Sequence, residues 1–232
     1  GFVSVPANDS DALRDAVKNN KTAAIMLECV QGEGGVNPLD QAFIDTAAEL
    51  AEEYDLLIID DEVQTGNGRT GTLYAYMQYG FQPDIVTTAK GLGGGLPIGA
   101  TMLGEKVKEI FTPGDNGSTF GGNPAVCAGA ISNLKRIDDT LLAEVKRKSD
   151  LIFRTLNGKT NVKSVAGMGL MIGIEPEQGT AGDIAKTCLE NGVLVLTAGG
   201  NKVRLLPPLN ISDAELNRAL DVIANAFANG KE

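Results

Sequence analysis

The 232-residue chain carries a formal net charge of −10, and 43% of its residues are hydrophobic. The acidic balance argues against nucleic acid and anionic membranes as partners, and no apolar run approaches the roughly 18–20 residues of a membrane span. The sequence contains no histidine, which excludes Ser-His-Asp catalysis and His-ligated zinc. Its three scattered cysteines indicate reduced thiols in a cytoplasmic protein without a metal site.

The predicted elements of the first half alternate between strands and helices. Short apolar runs predict four strands, at 22–28, 56–59, 85–89 and 98–104. Helical spacing and capping residues predict helices at 11–17 (with Ser10 as N-cap), 38–54, 73–80, 105–110, 124–136 and 141–156. The runs at 56–59 and 85–89 are short and uniformly apolar, which favours neighbouring strands of a parallel sheet that are buried on both faces.

The pattern changes near residues 137–140, which predicts a domain boundary there. Beyond it we expect a strand over 163–175, a helix over 182–191, strands at 193–197 and 203–206, and a terminal helix. Ser212 and Glu215 form a capping box at the start of that terminal helix. The sequence therefore predicts a partial large domain at 1–137 and a small C-terminal α/β domain at 138–232.

A carboxylate and a lysine follow the two central strands of the first half. Asp61 comes after the run at 56–59, and Lys90 comes after the run at 85–89 and directly before a glycine-rich segment. Ligands of open α/β sheets bind outside the carboxyl ends of the strands. Pyridoxal phosphate enzymes need a lysine for the cofactor aldehyde and an acid for its ring nitrogen. The residues alone leave two interpretations open: a cofactor site and a structural ion pair.

Four segments around this pair carry a family resemblance. DEVQTG at 61–66, GRTG at 68–71, PDI at 83–85 and AKGLGGG at 89–95 resemble the class III aminotransferases. The resemblance implies an α/β fold of the fold-type I pyridoxal-phosphate-dependent transferases. In that fold this chain would supply the C-terminal part of the large parallel or mixed-sheet domain, plus the small C-terminal domain. It also implies a homodimer in the full-length enzyme.

The same resemblance assigns a cofactor role to five residues. Lys90 would bond the aldehyde and carry protons, and Asp61 would hold the ring nitrogen. Val63 would pack on the ring, Gln64 would hydrogen-bond its phenolic oxygen, and Thr119 would bind the phosphate. These roles come from the matching motifs and not from spacing alone.

Three further residues receive substrate roles from the resemblance. Arg204, in a segment similar to the family's Arg-Phe-x-Pro-x-Leu, would bind the substrate α-carboxylate. Glu33, in a Gln-Gly-Glu-Gly loop, would pair with Arg204 while the site is empty. Ser118 would contact substrate. A guanidinium and a carboxylate suit this exchange, because their paired hydrogen bonds are both strong and directional.

The implied reaction moves an amino group from N-acetylornithine to 2-oxoglutarate, a step of arginine biosynthesis. Succinylornithine, ornithine and 4-aminobutyrate are the alternative donors. The resemblance also implies that the family's N-terminal portion, with its phosphate cradle and ring-stacking aromatic residue, is absent from this sequence. We therefore expect weak cofactor binding at most. The alternative function is that of an inert fragment that acts only as an association module.

Residues 66–71 also match the G-x-G-x-x-G fingerprint of dinucleotide-binding proteins. The true fingerprint follows its strand directly and opens a helix. Here the residues of 62–65 intervene, so we do not expect a nicotinamide or flavin site. Whether the segment opens a helix decides the question.

Overall fold

The computed structural model describes residues 1–230, which group into two compact units. The first unit contains Gly1–Cys29, Leu39–Asn67 and Tyr74–Ile137. The second contains the rest of the described chain, including the short segments Val30–Pro38 and Gly68–Leu73. The domain boundary predicted at residue 137 did not anticipate that these two segments belong to the second unit. Residues 231 and 232 of the predicted small domain lie outside the described part. That domain division stays a prediction.

The described residues form ten strands and seven α-helices. The strands are β1 (Ala24–Leu27), β2 (Val30–Gln31), β3 (Asn37–Pro38), β4 (Leu57–Asp61), β5 (Ile85–Thr88), β6 (Ala100–Leu103), β7 (Val162–Met168), β8 (Met171–Pro176), β9 (Leu196–Ala198) and β10 (Lys202–Leu205). The helices are α1 (Ser10–Asn19), α2 (Gln41–Glu53), α3 (Tyr76–Tyr79), α4 (Pro124–Leu134), α5 (Asp139–Leu156), α6 (Ala181–Glu190) and α7 (Asp213–Asn229). None of these helices is both long enough and apolar enough to cross a membrane.

The first unit is built on a four-stranded sheet with the order β1-β4-β5-β6. Strands β1, β4 and β5 run parallel, as predicted, and β6 pairs antiparallel with β5. Along β4, Ile58 and Asp60 are buried while Leu57 and Ile59 are only half-buried. The predicted burial of both faces of β4 is therefore only partial on one face within residues 1–230.

Several predicted helix bounds in this unit change for local reasons. Helix α1 begins one residue earlier, because the Asp9 side chain caps it by accepting from Ala12 N–H over 2.9 Å. Helix α2 begins only at Gln41, because Pro38 pairs with Val30 in the small β2–β3 ladder. The helix predicted at 105–110 is wrong, since that segment folds as turns, and the helical part of 73–80 shrinks to α3.

The second unit contains an antiparallel sheet with the order β7-β8-β10-β9. The single strand predicted over 163–175 is wrong, because Gly169 takes a left-handed φ of 58° and turns the chain back into a hairpin. Helices α5, α6 and α7 supply much of one apolar core with side chains such as Ile152, Ile184 and Phe227. The predicted capping box at Ser212 is confirmed.

Candidate active site

Asp61 ends strand β4 at the carboxyl edge of the first unit's sheet. It lies in register with Thr87 of β5, whose hydroxyl donates to Asp61 Oδ1 over 3.1 Å. The backbone N–H of Val63 donates to the same oxygen over 3.0 Å. Among residues 1–230 no hydrogen bond reaches Oδ2. This half-buried carboxylate is therefore held by one oxygen and offers the other at the sheet edge.

Asp60, the neighbour of Asp61, points into the protein interior, as the alternation of side chains along a strand requires. Its side chain is fully buried, and the Cys29 thiol donates to it over 3.8 Å. Burial, reinforced by the negative charge of Glu62, raises the pKa of Asp60 to about 9. Asp60 therefore keeps its proton at neutral pH and is unsuited to pair with a cationic ring.

Glu62 is also fully buried and ties the following loop together. Its carboxylate accepts from the Thr65 hydroxyl and from the Tyr76 backbone N–H. Burial raises the pKa of Glu62, while these two donors oppose that shift. Ligand atoms of Cys29, Asp60 and Glu62 lie within 4.8 Å of one another, a donor set that could hold a metal ion. Burial raises the pKa of the Cys29 thiol as well, so protons already neutralise two of the three groups. The prediction of no metal site stays a prediction.

Lys90 follows β5 at the same edge of the sheet and opens a 3₁₀ turn, Lys90–Gly93. Its φ of 45° lies in the left-handed region, which few residues other than glycine adopt. Its side chain is exposed. Because β4 and β5 are parallel neighbours, Asp61 and Lys90 leave the sheet in the same direction.

Glu33 and Arg204 meet within the second unit. Arg204 lies on β10, opposite Gly173 of β8, and its side chain is 8% exposed. The guanidinium Nη1 lies 2.8 Å from Glu33 Oε1 and donates to the carbonyl of Gly32 over 3.2 Å. The Glu33 side chain is 77% exposed. This ion pair thus joins a buried cation to a carboxylate that can leave with little loss of packing.

A close backbone approach places Glu33 at that position. Gly35 has a φ of 117°, and a Cβ added there would lie 2.4 Å from the carbonyl oxygen of Gly199. The Gly199 N–H in turn donates to the carbonyl of Glu33 over 3.0 Å. Only glycine at position 35 lets the loop lie flat against the turn between β9 and β10.

The structure defines fewer contacts for the other predicted site residues. Val63 and Gln64 follow Asp61 directly and are half-buried. Ser118 and Thr119 lie on an exposed loop of the first unit, where the Ser118 hydroxyl accepts from the backbone N–H of Gly121 over 2.9 Å. Within residues 1–230, no hydrogen bond joins either residue to Asp61 or Lys90. Their proposed roles rest on the motifs alone.

The G-x-G-x-x-G segment does not open a helix. Residues 66–70 form consecutive turns, and Asn67, Gly68 and Gly71 all take positive φ values. A dinucleotide-binding loop needs the first turn of a helix to receive the pyrophosphate. The segment therefore lacks the feature on which a nicotinamide or flavin site depends.

Sequence analysis missed three polar side chains that shape this region. Thr87 holds Asp61, Asn67 donates to the backbone just before Lys90, and Arg69 donates to two carbonyl groups of the second unit. An asparagine between two glycines is a signal for a left-handed turn. No spacing rule, however, shows which distant groups such side chains contact.

The residues present fit pyridoxal phosphate as a ligand. The cofactor needs an anionic acid for its ring nitrogen and an accessible amine for its aldehyde. Asp61 offers an open carboxylate oxygen, and Lys90 offers an exposed amine at the same sheet edge. The fully buried Asp60 offers neither charge nor access.

Comparison with known proteins identifies the family. The family model described as aminotransferase class-III matches residues 5–227. The chain is 48% identical over 229 residues to an acetylornithine aminotransferase of Haemophilus ducreyi, covering 98% of this chain and 58% of that protein. It is 44% identical over 234 residues to the acetylornithine aminotransferase of Methanothermobacter thermautotrophicus, covering 99% of this chain and 60% of that protein. The chain thus spans less than two thirds of these curated relatives.

Solved structures agree with this relationship. The ornithine aminotransferase of Toxoplasma gondii, which holds pyridoxal phosphate at partial occupancy in its active site, matches with a TM-score of 0.91 and 36% identity. The match covers 99% of this chain and 56% of that one. The N-acetylornithine aminotransferase of Stenotrophomonas maltophilia matches with a TM-score of 0.89 and 38% identity, covering 98% and 62%. The predicted α/β fold of fold-type I transferases is confirmed.

Proposed function

Because the chain belongs to the class III aminotransferases, a family of pyridoxal-phosphate-dependent transaminases, we propose that it carries the lysine and the ring-nitrogen acid of such an enzyme. The observation that supports this most strongly is the placement of Asp61 and Lys90 at the carboxyl edge of two neighbouring parallel strands. When bound, pyridoxal phosphate supplies an aldehyde that bonds amines and a ring that accepts electrons.

Each cofactor residue then has a specific task. The open Oδ2 of Asp61 would accept from the protonated ring nitrogen, and Thr87 and Val63 N–H hold that carboxylate in a fixed orientation. Lys90 Nζ would hold the aldehyde and would accept a proton from the substrate carbon that bears the amino group. Gln64 and Thr119, together with the side chain of Val63, complete the contacts to the ring and phosphate.

Substrate binding falls to the second unit's ion pair and to Ser118. Arg204 has its guanidinium buried at the strand, where a bidentate pair with a substrate carboxylate gains strength from low solvent access. Glu33 occupies the guanidinium when no carboxylate is bound and withdraws when one arrives. This exchange lets one arginine serve an amino donor and a 2-oxo acid in turn.

We assign N-acetylornithine, or a close ω-amino donor, and 2-oxoglutarate as the substrates, in arginine biosynthesis. The names of the relatives at 44–48% identity support the acetylated donor, and the ornithine aminotransferases among the solved structures support the wider donor class. We further propose a cytoplasmic homodimer for the complete enzyme.

A labelling experiment tests the cofactor site. The 232-residue chain is incubated with pyridoxal phosphate, reduced with borohydride and mapped by mass spectrometry. We expect Lys90 to be labelled several times faster than Lys186, an exposed lysine on α6. Lys90→Ala should abolish that fast label, whereas the control Lys186→Ala should retain it. Equal labelling of the two lysines at saturating cofactor would instead support an inert association fragment.

A panel of amino donors tests the substrate. N-acetylornithine, succinylornithine, ornithine and 4-aminobutyrate are each supplied with 2-oxoglutarate, and glutamate formation is measured. The proposal expects N-acetylornithine to give the highest kcat/KM. A higher value for any other donor would overturn the substrate while leaving the transaminase assignment in place.

A further inference from the structure

Asn67 lies beneath Lys90 in an unusual backbone conformation. Its φ is 57°, in the left-handed region, and only 5% of its surface is exposed. Asparagine tolerates this region better than most residues do, because its short side chain can hydrogen-bond locally. In this chain, however, the side chain reaches across to strand β5.

The amide of Asn67 binds the two residues that precede Lys90. Its Nδ2 donates to the Thr88 hydroxyl over 3.0 Å and to the Ala89 carbonyl over 3.2 Å. A carbonyl oxygen can only accept, so the amide orientation is fixed by Ala89. The same carbonyl also accepts from the backbone N–H of Leu92 over 2.9 Å, which closes the 3₁₀ turn.

Packing reinforces these hydrogen bonds. A Cβ added to Gly91 would lie 3.3 Å from Asn67 Cβ, so the asparagine and the residue after Lys90 are nearly in contact. Thr88 is buried, and its hydroxyl also pairs with Tyr74. Asn67 thus contacts Ala89 and lies close to Gly91, the two residues on either side of Lys90.

We propose that Asn67 is a positioning residue that holds the backbone of Lys90 in its left-handed conformation. An L-residue other than glycine is disfavoured in that conformation, and it persists only where surrounding contacts enforce it. Without the amide, the Ala89 carbonyl loses one of its two donors and the turn relaxes. The amine of Lys90 then loses its fixed direction from the sheet edge. This inference rests on the proposed function of Lys90.

Two substitutions at position 67 distinguish the loss of the side-chain amide from strain in the backbone. Asn67→Gly removes the amide but tolerates the positive φ, whereas Asn67→Ala removes the amide and strains the backbone. In both variants we expect the labelling rate of Lys90, relative to Lys186 in the same sample, to fall from several-fold to about one. Global unfolding would also bring that ratio toward one, so the hydrogen-exchange rates of α6 amides must stay at wild-type values to exclude it.

Hydrogen exchange supplies a measurement that needs no cofactor. The Leu92 amide, which donates to Ala89, should exchange at least about tenfold faster in Asn67→Gly, while amides of α6 keep their wild-type rates. If both the labelling ratio and the Leu92 exchange rate stay at wild-type values, the positioning role is overturned and the proposed function stands. If wild-type Lys90 is labelled no faster than Lys186, the proposed function fails, and the exchange rate alone decides the role of Asn67.

Discussion

Arg204 and Glu33 form an ion pair whose two ends differ sharply in exposure. The guanidinium is buried on β10, the carboxylate is largely in solvent, and Nη1 and Oε1 lie 2.8 Å apart. Any carboxylate ligand that bound Arg204 would have to compete with Glu33 for the same guanidinium. The proposed exchange therefore predicts that Glu33 lowers the affinity of Arg204 for such ligands.

Glu33→Gln should strengthen binding of carboxylates at Arg204. The amide keeps the shape of the side chain but loses the charge that holds the guanidinium. We expect the Kd for 2-oxoglutarate to fall about three- to tenfold at low salt, and less at high salt, where the exposed pair is screened. Calorimetry on the cofactor-loaded protein measures this. Glu49→Gln removes the carboxylate from a similar exposed pair with Arg14 and should leave the Kd unchanged. A weaker affinity in Glu33→Gln would contradict the exchange.

Asp61→Asn should weaken cofactor binding without unfolding the chain. The asparagine oxygen can still accept from Val63 and Thr87, but the anionic partner of the ring nitrogen is lost. Losing one charge-assisted hydrogen bond costs about 1.5–3 kcal/mol, which is roughly a tenfold or larger rise in Kd. Titration with pyridoxal phosphate, followed by absorbance, measures the Kd.

Asp84→Asn is the matched control for that substitution. Asp84 also lies beside the sheet and its Oδ2 accepts from the Ile58 backbone N–H over 2.9 Å. Asp84 directly precedes β5, however, and so sits at the opposite edge from Lys90. Its substitution should cost stability and leave the Kd unchanged. Equal effects of the two substitutions would show that Asp61 acts only through the fold.

The parallel strands of the first unit were predictable because short, continuous stretches of sequence are enough to indicate them. Apolar runs of four to five residues predict β4 and β5, and parallel pairing brings Asp61 and Lys90 to one edge whatever the details of packing. The motifs added the roles of both residues. The hairpin at Gly169 was not predicted, because the partly alternating pattern continues through it and does not reveal its left-handed φ.

Long-range hydrogen bonds were not predictable from the sequence. Asn67 and Arg69 read as turn residues, yet their side chains reach partners 21 to 138 positions away. Asp60 and Asp61 are the same residue type. Which of them is buried beside Cys29 depends on which face of β4 turns toward the interior. Such relationships depend on three-dimensional packing, which no single-sequence pattern encodes.

Arg69→Ala should destabilise the second unit strongly. Arg69 Nη1 donates to the carbonyls of Leu170 and Pro207, over 3.0 and 2.6 Å, and so ties the β7–β8 hairpin to the segment after β10. Burial lowers the pKa of Arg69 to about 10, so it stays charged at neutral pH. Losing two such bonds costs about 2–4 kcal/mol of unfolding free energy. Denaturant unfolding measures the loss.

Two further variants, Arg69→Lys and Arg147→Ala, serve as comparisons for the stability loss in Arg69→Ala. A lysine keeps the charge but not the planar fork, so we expect an intermediate loss. Arg147 forms exposed ion pairs with Glu144 and Asp213, so its removal should cost much less than that of Arg69. Equal losses in the Arg69→Ala and Arg147→Ala variants would show that the two carbonyl contacts contribute little.

Asp60→Asn should change how the stability of the chain depends on pH. The folded pKa of Asp60, about 9, lies far above the ordinary aspartate value of 3.8, so above pH 4 the unfolded chain releases a proton that the folded chain keeps. The contribution of Asp60 to stability therefore falls as pH rises from about 4 to about 9, by up to about 1.4 kcal/mol per unit. An asparagine at position 60 does not titrate, so this pH-dependent contribution to stability disappears. The free energy of unfolding of Asp60→Asn, relative to wild type, should climb across that range in denaturant titrations. A constant difference from pH 5 to pH 8 would mean that Asp60 is already ionised in the folded chain.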